Sequence, residues 1–243
     1  MKRIIIENLE KEFSIGFLKK QSSFQWLLSF FSGREPKKVI KVLDNISLKV
    51  NSGEIVGIIG SNGSGKSTLL RIIAGIYDYK KGNVTVNGKI ISIINLGIGL
   101  KERLTMKENI FLVGSLFGMS QEEIKSKLNS IVEFSGLKEF VNTKIYQFSA
   151  GMLQRLAFSI SVHSNPEILL LDEVFEVGDE DFREKSAERI KELVRAGATV
   201  VLVSHDLQMV EKHCNEIIWM EQGKIRESGK TKEVLGSYKN DRL

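Results

Sequence analysis

The segment Gly60-Ser61-Asn62-Gly63-Ser64-Gly65-Lys66-Ser67 follows the apolar run Glu54-Ile55-Val56-Gly57-Ile58-Ile59 and leads into Leu69, Leu70, Ile72 and Ile73 at helical spacing. The pattern G-x-x-x-x-G-K-[ST] in this setting commits the chain to a buried strand that turns sharply into a buried helix, predicted over Lys66 to Ala74 with Gly75 as its stop. At ordinary residue frequencies the four fixed positions match by chance in roughly one chain of this length in a hundred, and the strand-to-helix context lowers that further. The chemistry follows from geometry. Glycines let backbone N–H groups wrap an anion, and the helix N-terminus adds its positive end. Lys66 reaches the β- and γ-phosphates of a nucleotide, and the Ser67 hydroxyl is a ligand for Mg²⁺.

Around this loop the pattern is that of an α/β chain. Arg3 to Glu7 and Val42 to Val50 read as strands, and Val84-Thr85-Val86-Asn87-Gly88-Lys89-Ile90 reads as a hairpin turning at Asn-Gly. From Leu104 to His163 the spacing is helical, with Ser120 and Glu123 as a capping box for a helix striped by Ile124, Leu128, Ile131 and Val132. Two apolar runs, Ile168 to Leu171 and Thr199 to Val203, suit a parallel sheet covered on both faces, with a charged helix from Asp181 to Arg195 between them. A small hairpin, Ile217 to Met220 and Lys224 to Ser228, and a short helix follow. A helical lobe inserted into a parallel-sheet core is the expected architecture.

Composition limits the function classes. Across 243 residues, 42% apolar and 27% charged content with two prolines is ordinary globular usage, enough for one large α/β domain or two small lobes. No apolar run approaches the roughly 20 residues of a membrane span, and Met1-Lys2-Arg3 runs into Ile4-Ile5-Ile6-Glu7, unlike a signal peptide. A cytoplasmic chain is therefore expected; the single cysteine, Cys214, cannot form an internal disulfide, which fits a reducing compartment without proving one. The balance of 35 Lys+Arg against 30 Asp+Glu, a net +5, suits an anionic partner without naming one.

Two further strand ends carry chemistry. Asp172 closes the run Ile168 to Leu171 and would hold Mg²⁺ beside the phosphate loop, while Glu173 would face the γ-phosphate as the general base for an attacking water. His205, after Val203-Ser204, falls on the same sheet edge and could hydrogen-bond that phosphate; His163 and His213 read as surface residues. Alone, an Asp-Glu pair after a strand is more often a helix cap.

The order of these motifs resembles the ATPase subunit of an ATP-binding cassette (ABC) transporter. Phe148-Ser149-Ala150-Gly151-Met152 occupies the signature position, LSGGQ in the family, with Ser149 and Gly151 the matching residues. The resemblance implies a P-loop fold with a RecA-like parallel core, an antiparallel β subdomain and an inserted helical subdomain at about 97–165. It also implies ATP and Mg²⁺ as ligands, ATP contacts from Ser61 through Thr68, and a homodimer in which Ser149 and Gly151 cap the γ-phosphate of the partner's ATP. Asp179 matches the D-loop position, Phe13 the aromatic that stacks on adenine, and Asn95 stands where the family carries the Q-loop Gln, one methylene longer. Glu7-Asn8-Leu9, Asn95-Leu96-Gly97-Ile98-Gly99, Lys107-Glu108-Asn109-Ile110 and Val177-Gly178-Asp179 are similar to the branch that exports O-antigen and teichoic acid. That branch implies a polytopic transmembrane permease as partner, a lipid-linked surface polysaccharide (O-antigen foremost) as cargo, and a place on the cytoplasmic face of the bacterial inner membrane.

Residues 14–41 stand apart, with Phe24, Leu27, Leu28 and Phe31 at helical spacing among Lys19, Lys20, Arg34, Lys37 and Lys38. They suit an amphipathic element that docks on the membrane or the permease, or an insertion packed on itself. Only Thr231 to Leu243 follows the last hairpin, so an added carbohydrate-binding domain is not expected. One rival reading is a cassette ATPase acting on nucleic acid, which the basic charge suits; it would need two cassettes or a long coiled coil between Lys66 and Ser149. A P-loop kinase is the other, and it would need neither Ser149-Ala150-Gly151 nor His205.

Overall fold

A computed structural model describes residues 1–15, 38–94, 99–172 and 179–241. Asn95, Glu173, Val177, Gly178 and most of the amphipathic segment 14–41 therefore lie outside the described residues.

Strands β1 (Lys2–Ile15) and β2 (Lys38–Asn51) pair antiparallel and run well beyond the predicted ends. Bulges explain the difference. The pairing slips between Ile6 and Leu9, and Asn8 and Asn45 take positive φ, so Ile4, Ile6 and then Leu9 face inward. A single alternation therefore cannot be followed past Glu7.

Strand β3 (Ile55–Ile59) enters helix α1 (Lys66–Ile73) through the glycine loop, as predicted. The next segment departs from expectation: β4 (Lys81–Val86) and β5 (Ile90–Ile93) do not form a hairpin. β4 pairs with β1 in a three-stranded antiparallel sheet of order β2-β1-β4. Beyond the Asn-Gly turn, β5 pairs in parallel with β6 (Ile168–Asp172) in the other sheet. Burial decides the partners, because Ile91 and Ile93 join the core of the parallel sheet. Glu167 pins the crossover, accepting from the Lys89 N–H at 2.8 Å and from Arg3 at 2.9 Å.

Between these neighbouring strands the chain makes its helical excursion through α2 (Met106–Leu116), α3 (Gln121–Ser135) and α4 (Ala150–His163). Thr105 with Glu108, and Ser120 with Glu123, form complete capping boxes at the starts of α2 and α3. Their apolar faces close a core of their own around Met106, Ile110, Ile124, Ile131 and Leu156. After β6 come α5 (Glu180–Arg195), β7 (Thr199–Val203), α6 (Leu207–His213), the hairpin β8 (Glu216–Glu221) and β9 (Lys224–Lys230), and α7 (Thr231–Asn240).

The six-stranded sheet has order β5-β6-β7-β3-β8-β9, parallel except for β9. Alternate residues feed two cores. Val56, Ile58, Leu170, Val201 and Val203 face α1 and the antiparallel sheet, whereas Ile55, Leu169, Leu171 and Leu202 face α5, α6 and α7. Helix α1 is thus held between two sheets. Cover on both faces is why these strands read as continuous apolar runs.

Candidate functional site

Strand register builds the site. Val203 of β7 pairs with Ile58 of β3 on one side and Asp172 of β6 on the other, so the three strands end at one level. The glycine loop, Asp172 and the Ser204-His205 turn all leave the carboxyl edge of the sheet there, where open α/β sheets bind ligands.

The loop's conformation depends on glycine at two points. Gly60 has φ of 146°, and a Cβ there would lie 2.1 Å from the Met220 carbonyl oxygen. Gly65 has φ of 103°, and its Cβ would lie 2.7 Å from Leu43 and 3.0 Å from the Val42 carbonyl. No L side chain fits either place. Gly65 is also the N-cap of α1 and supplies no side chain to the first turn, whose positive end suits an anion. Ser61, Asn62 and Gly63 are exposed at the loop's tip, and Thr68 is half-buried in the first turn.

Lys66 is buried, and its ammonium donates to the carbonyls of Gly60 at 3.0 Å and Ser61 at 2.9 Å, bracing the loop from inside. Ser64 Oγ is buried and has no hydrogen-bond partner among the described residues. A buried hydroxyl left this way costs about 1–3 kcal/mol, so it fits a cradle made for a polar ligand. Ser67 Oγ donates to Asp172 Oδ1 at 3.2 Å, bringing together two residues 105 positions apart. Two hard oxygen donors at one point suit Mg²⁺.

Phe13 is half-buried at the outer end of β1, with its ring against Tyr77. His205 is exposed at the carboxyl edge. Ser149 caps α4, accepting from the Met152 N–H at 3.2 Å, and Gly151 lies in that helix's first turn. Asp179 caps α5 by accepting from the Phe182 N–H at 3.0 Å, and it also takes Arg155 of α4 at 3.0 and 3.2 Å. Arg155, which sequence reasoning missed, thereby ties the signature helix to the helix that follows β6. Nothing local marks it, since its partner lies 24 residues away.

Two histidines correct the surface reading. His163 and His213 are half-buried. His163 Nδ1 lies 2.7 Å from the Ser159 carbonyl, and its ring packs edge-on to Phe134 at 5.4 Å. Burial, with Arg189, Lys127 and Lys185 nearby, holds its pKa below the usual value despite the opposing effect of the Ser159 bond. Cys214 is inert in its apolar surroundings, its thiol pushed up to about 12 by burial.

A phosphate cradle at the end of β3, with a hydroxyl and a carboxylate converging beside it, defines a P-loop nucleotide-binding protein. The family model described as ABC transporter matches residues 43–176. The chain belongs to the ABC transporter family and is one of its ATPase cassettes. It is 40% identical, over 97% of its length and 69% of the relative's, to the teichoic acids export ATP-binding protein TagH of Listeria innocua. Identity to O-antigen export system ATP-binding proteins RfbB is 40% for Klebsiella pneumoniae, over 81% of this chain and 80% of the relative. For Myxococcus xanthus RfbB it is 37%, over 98% of this chain. The chain spans 56% of that last relative's length. Among solved structures, the ATP-binding subunit of an ABC transporter aligns with a TM-score of 0.79 at 22% identity, over 97% of this chain and 93% of that one. An ATP-binding cassette in a dimeric post-hydrolysis state bound to ADP and Pi aligns at 0.76 and 26%, over 94% and 98%. No helix among the described residues is long and apolar enough to cross a membrane.

Proposed function

We propose that residues 1–243 form one ATPase domain, the nucleotide-binding subunit of an exporter of lipid-linked surface polysaccharide. It works as a homodimer on a polytopic permease at the cytoplasmic face of the bacterial inner membrane. The observation that carries the reading is the Ser67–Asp172 contact, which joins the phosphate cradle to the carboxylate end of β6. Relatives named for O-antigen export and for teichoic acids export match at 37–40% identity, which supports a surface polymer as cargo and favours export over action on nucleic acid.

In this reading the backbone from Ser61 to Thr68 and the Lys66 ammonium hold the ATP phosphates, and Phe13 stacks on the base. Ser67 and Asp172 would hold Mg²⁺, which would supply charge neutralisation for the phosphates. Glu173 takes the proton of the attacking water, Asn95 orients that water, and His205 hydrogen-bonds the γ-phosphate. Ser149 and Gly151 present the α4 N-terminus to ATP on the partner protomer, with Asp179 at the same junction. Closure on ATP and reopening after hydrolysis move the permease.

Two variants test it. Lys66→Ala is expected to lose nucleotide binding by equilibrium titration, because the phosphates lose their point charge. Glu173→Gln is expected to bind ATP normally and hydrolyse it poorly. Unchanged affinity in the first would overturn the cradle, and wild-type turnover in the second the base. Co-purification with a membrane subunit carrying a lipid-linked glycan, identified by mass spectrometry, tests the cargo.

A further inference from the structure

Phe13 does not stand alone at the end of β1. Its ring meets Tyr77 edge to face, with centroids 5.6 Å apart and planes at 76°. Lys11, two residues back on the same face of the strand, sets its ammonium 4.7 Å from the Phe13 centroid and 5.7 Å from that of Tyr77. The Tyr77 hydroxyl in turn accepts from Arg71 Nη1 at 3.4 Å, and the guanidinium lies 5.6 Å from the Tyr77 ring. Arg71 belongs to α1, the helix whose first turn is the phosphate cradle.

The distance scale is right for a single ligand. Phe13 pairs with Ile40 on β2, and the strand passes Gly65 two residues later at Val42 and three later at Leu43. Two strand residues span about 7 Å, so the ring lies within a mononucleotide's reach of the cradle.

The geometry points to Tyr77 as a positioning residue for recognition of the base of a nucleoside triphosphate. It holds the half-buried Phe13 in one rotamer and, through Arg71, joins the base platform to the helix that holds the phosphates. Ordering the ring before the ligand arrives removes that entropy loss from binding. The proposal rests on the reading of Phe13 as the stacking surface of the ATP site.

The test compares ATP with inorganic tripolyphosphate, which has no base, by equilibrium titration of the purified chain. Tyr77→Leu is expected to weaken ATP binding roughly three- to tenfold, the size of an aromatic pair's contribution. Tripolyphosphate affinity should stay put, and the loss should appear in KM rather than kcat. Tyr77→Phe keeps the ring contact and should recover most of the affinity. If Tyr77→Leu does not fold, Tyr77→Met takes its place. Wild-type ATP affinity in the variant, an equal loss for both ligands, or no recovery in Tyr77→Phe would overturn the proposal. So would a Phe13→Ala variant that binds ATP normally while Lys66→Ala does not; that result removes the base platform and leaves the phosphate cradle standing.

Discussion

Asn109 offers a quantitative test of how the loop entering the helical lobe is held against α2. Its side chain is fully buried at the first turn of α2. Oδ1 accepts from the Lys101 N–H at 2.7 Å, and Nδ2 donates to the carbonyls of Lys101, Leu104 and Thr105 at 3.1, 3.2 and 2.9 Å. Each of those carbonyls has a second donor: Leu104, Ile145 and Asn109 N–H respectively. Asn109→Ala therefore orphans one group, the Lys101 N–H, at about 1–3 kcal/mol. The vacated space, roughly 25 Å³ at about 24 cal/mol per Å³, adds about 0.6 kcal/mol. The expected loss is about 1.5–3.5 kcal/mol, a large part of the stability of an ordinary domain. It should appear as a lower urea midpoint at unchanged slope, with faster hydrogen exchange at Lys101.

Asn109→Asp sharpens the test. A carboxylate keeps the acceptor for Lys101 but turns its other oxygen toward three carbonyls, so at neutral pH it should destabilise more than alanine. Burial among acceptors raises its folded pKa above the unfolded value of about 3.9, so its stability is retained at low pH and lost as pH rises. A loss under about 0.5 kcal/mol for Asn109→Ala, within ordinary surface scatter, would refute the reasoning. So would an aspartate milder than alanine at pH 7.

Two other outcomes are expected. His163 has a folded pKa below its unfolded one, so the unfolded chain binds more protons; its contribution is full above the unfolded value of about 6.5 and is lost as pH falls below it. His163→Gln should shrink the drop in urea midpoint between pH 7.5 and 5.5; an unchanged drop would refute this, and some slope should remain because His213 is shifted the same way. Replacing Phe24, Leu27, Leu28 and Phe31 with Ser is expected to leave ATP binding intact but weaken co-purification with the membrane subunit and stop polymer reaching the cell surface. Unfolding of that variant, or normal export, would count against docking.

The glycine loop, its flanking strand and helix, the Ser120–Glu123 capping box and the buried parallel strands were legible because each depends on residues close in sequence. Gly60 through Ser67 carries its own backbone requirement, and Ser120 with Glu123 closes within one helical turn. Asp172 could be placed beside Ser67 only as an expectation, since their contact depends on the register of β6, β7 and β3. Glu173 and Asn95 were named from sequence and lie outside the described residues.

What only the tertiary structure decided is partnership. Val84 to Ile90 reads as a hairpin because alternation and Asn-Gly are local signals, but strand pairing is settled by burial, which sent β4 to β1 and β5 to β6. Asp179 was matched to the D-loop position from its neighbours in sequence, but its partners, Arg155 and the α5 N-terminus, come from the packing of α4 against α5. Tyr77, Arg71 and Asn109 gain their roles in the same way, from groups that other elements bring to them. Sequence determines which backbone a short segment can adopt, because that energy is local; which distant side chains meet depends on how whole sheets and helices bury their apolar faces together.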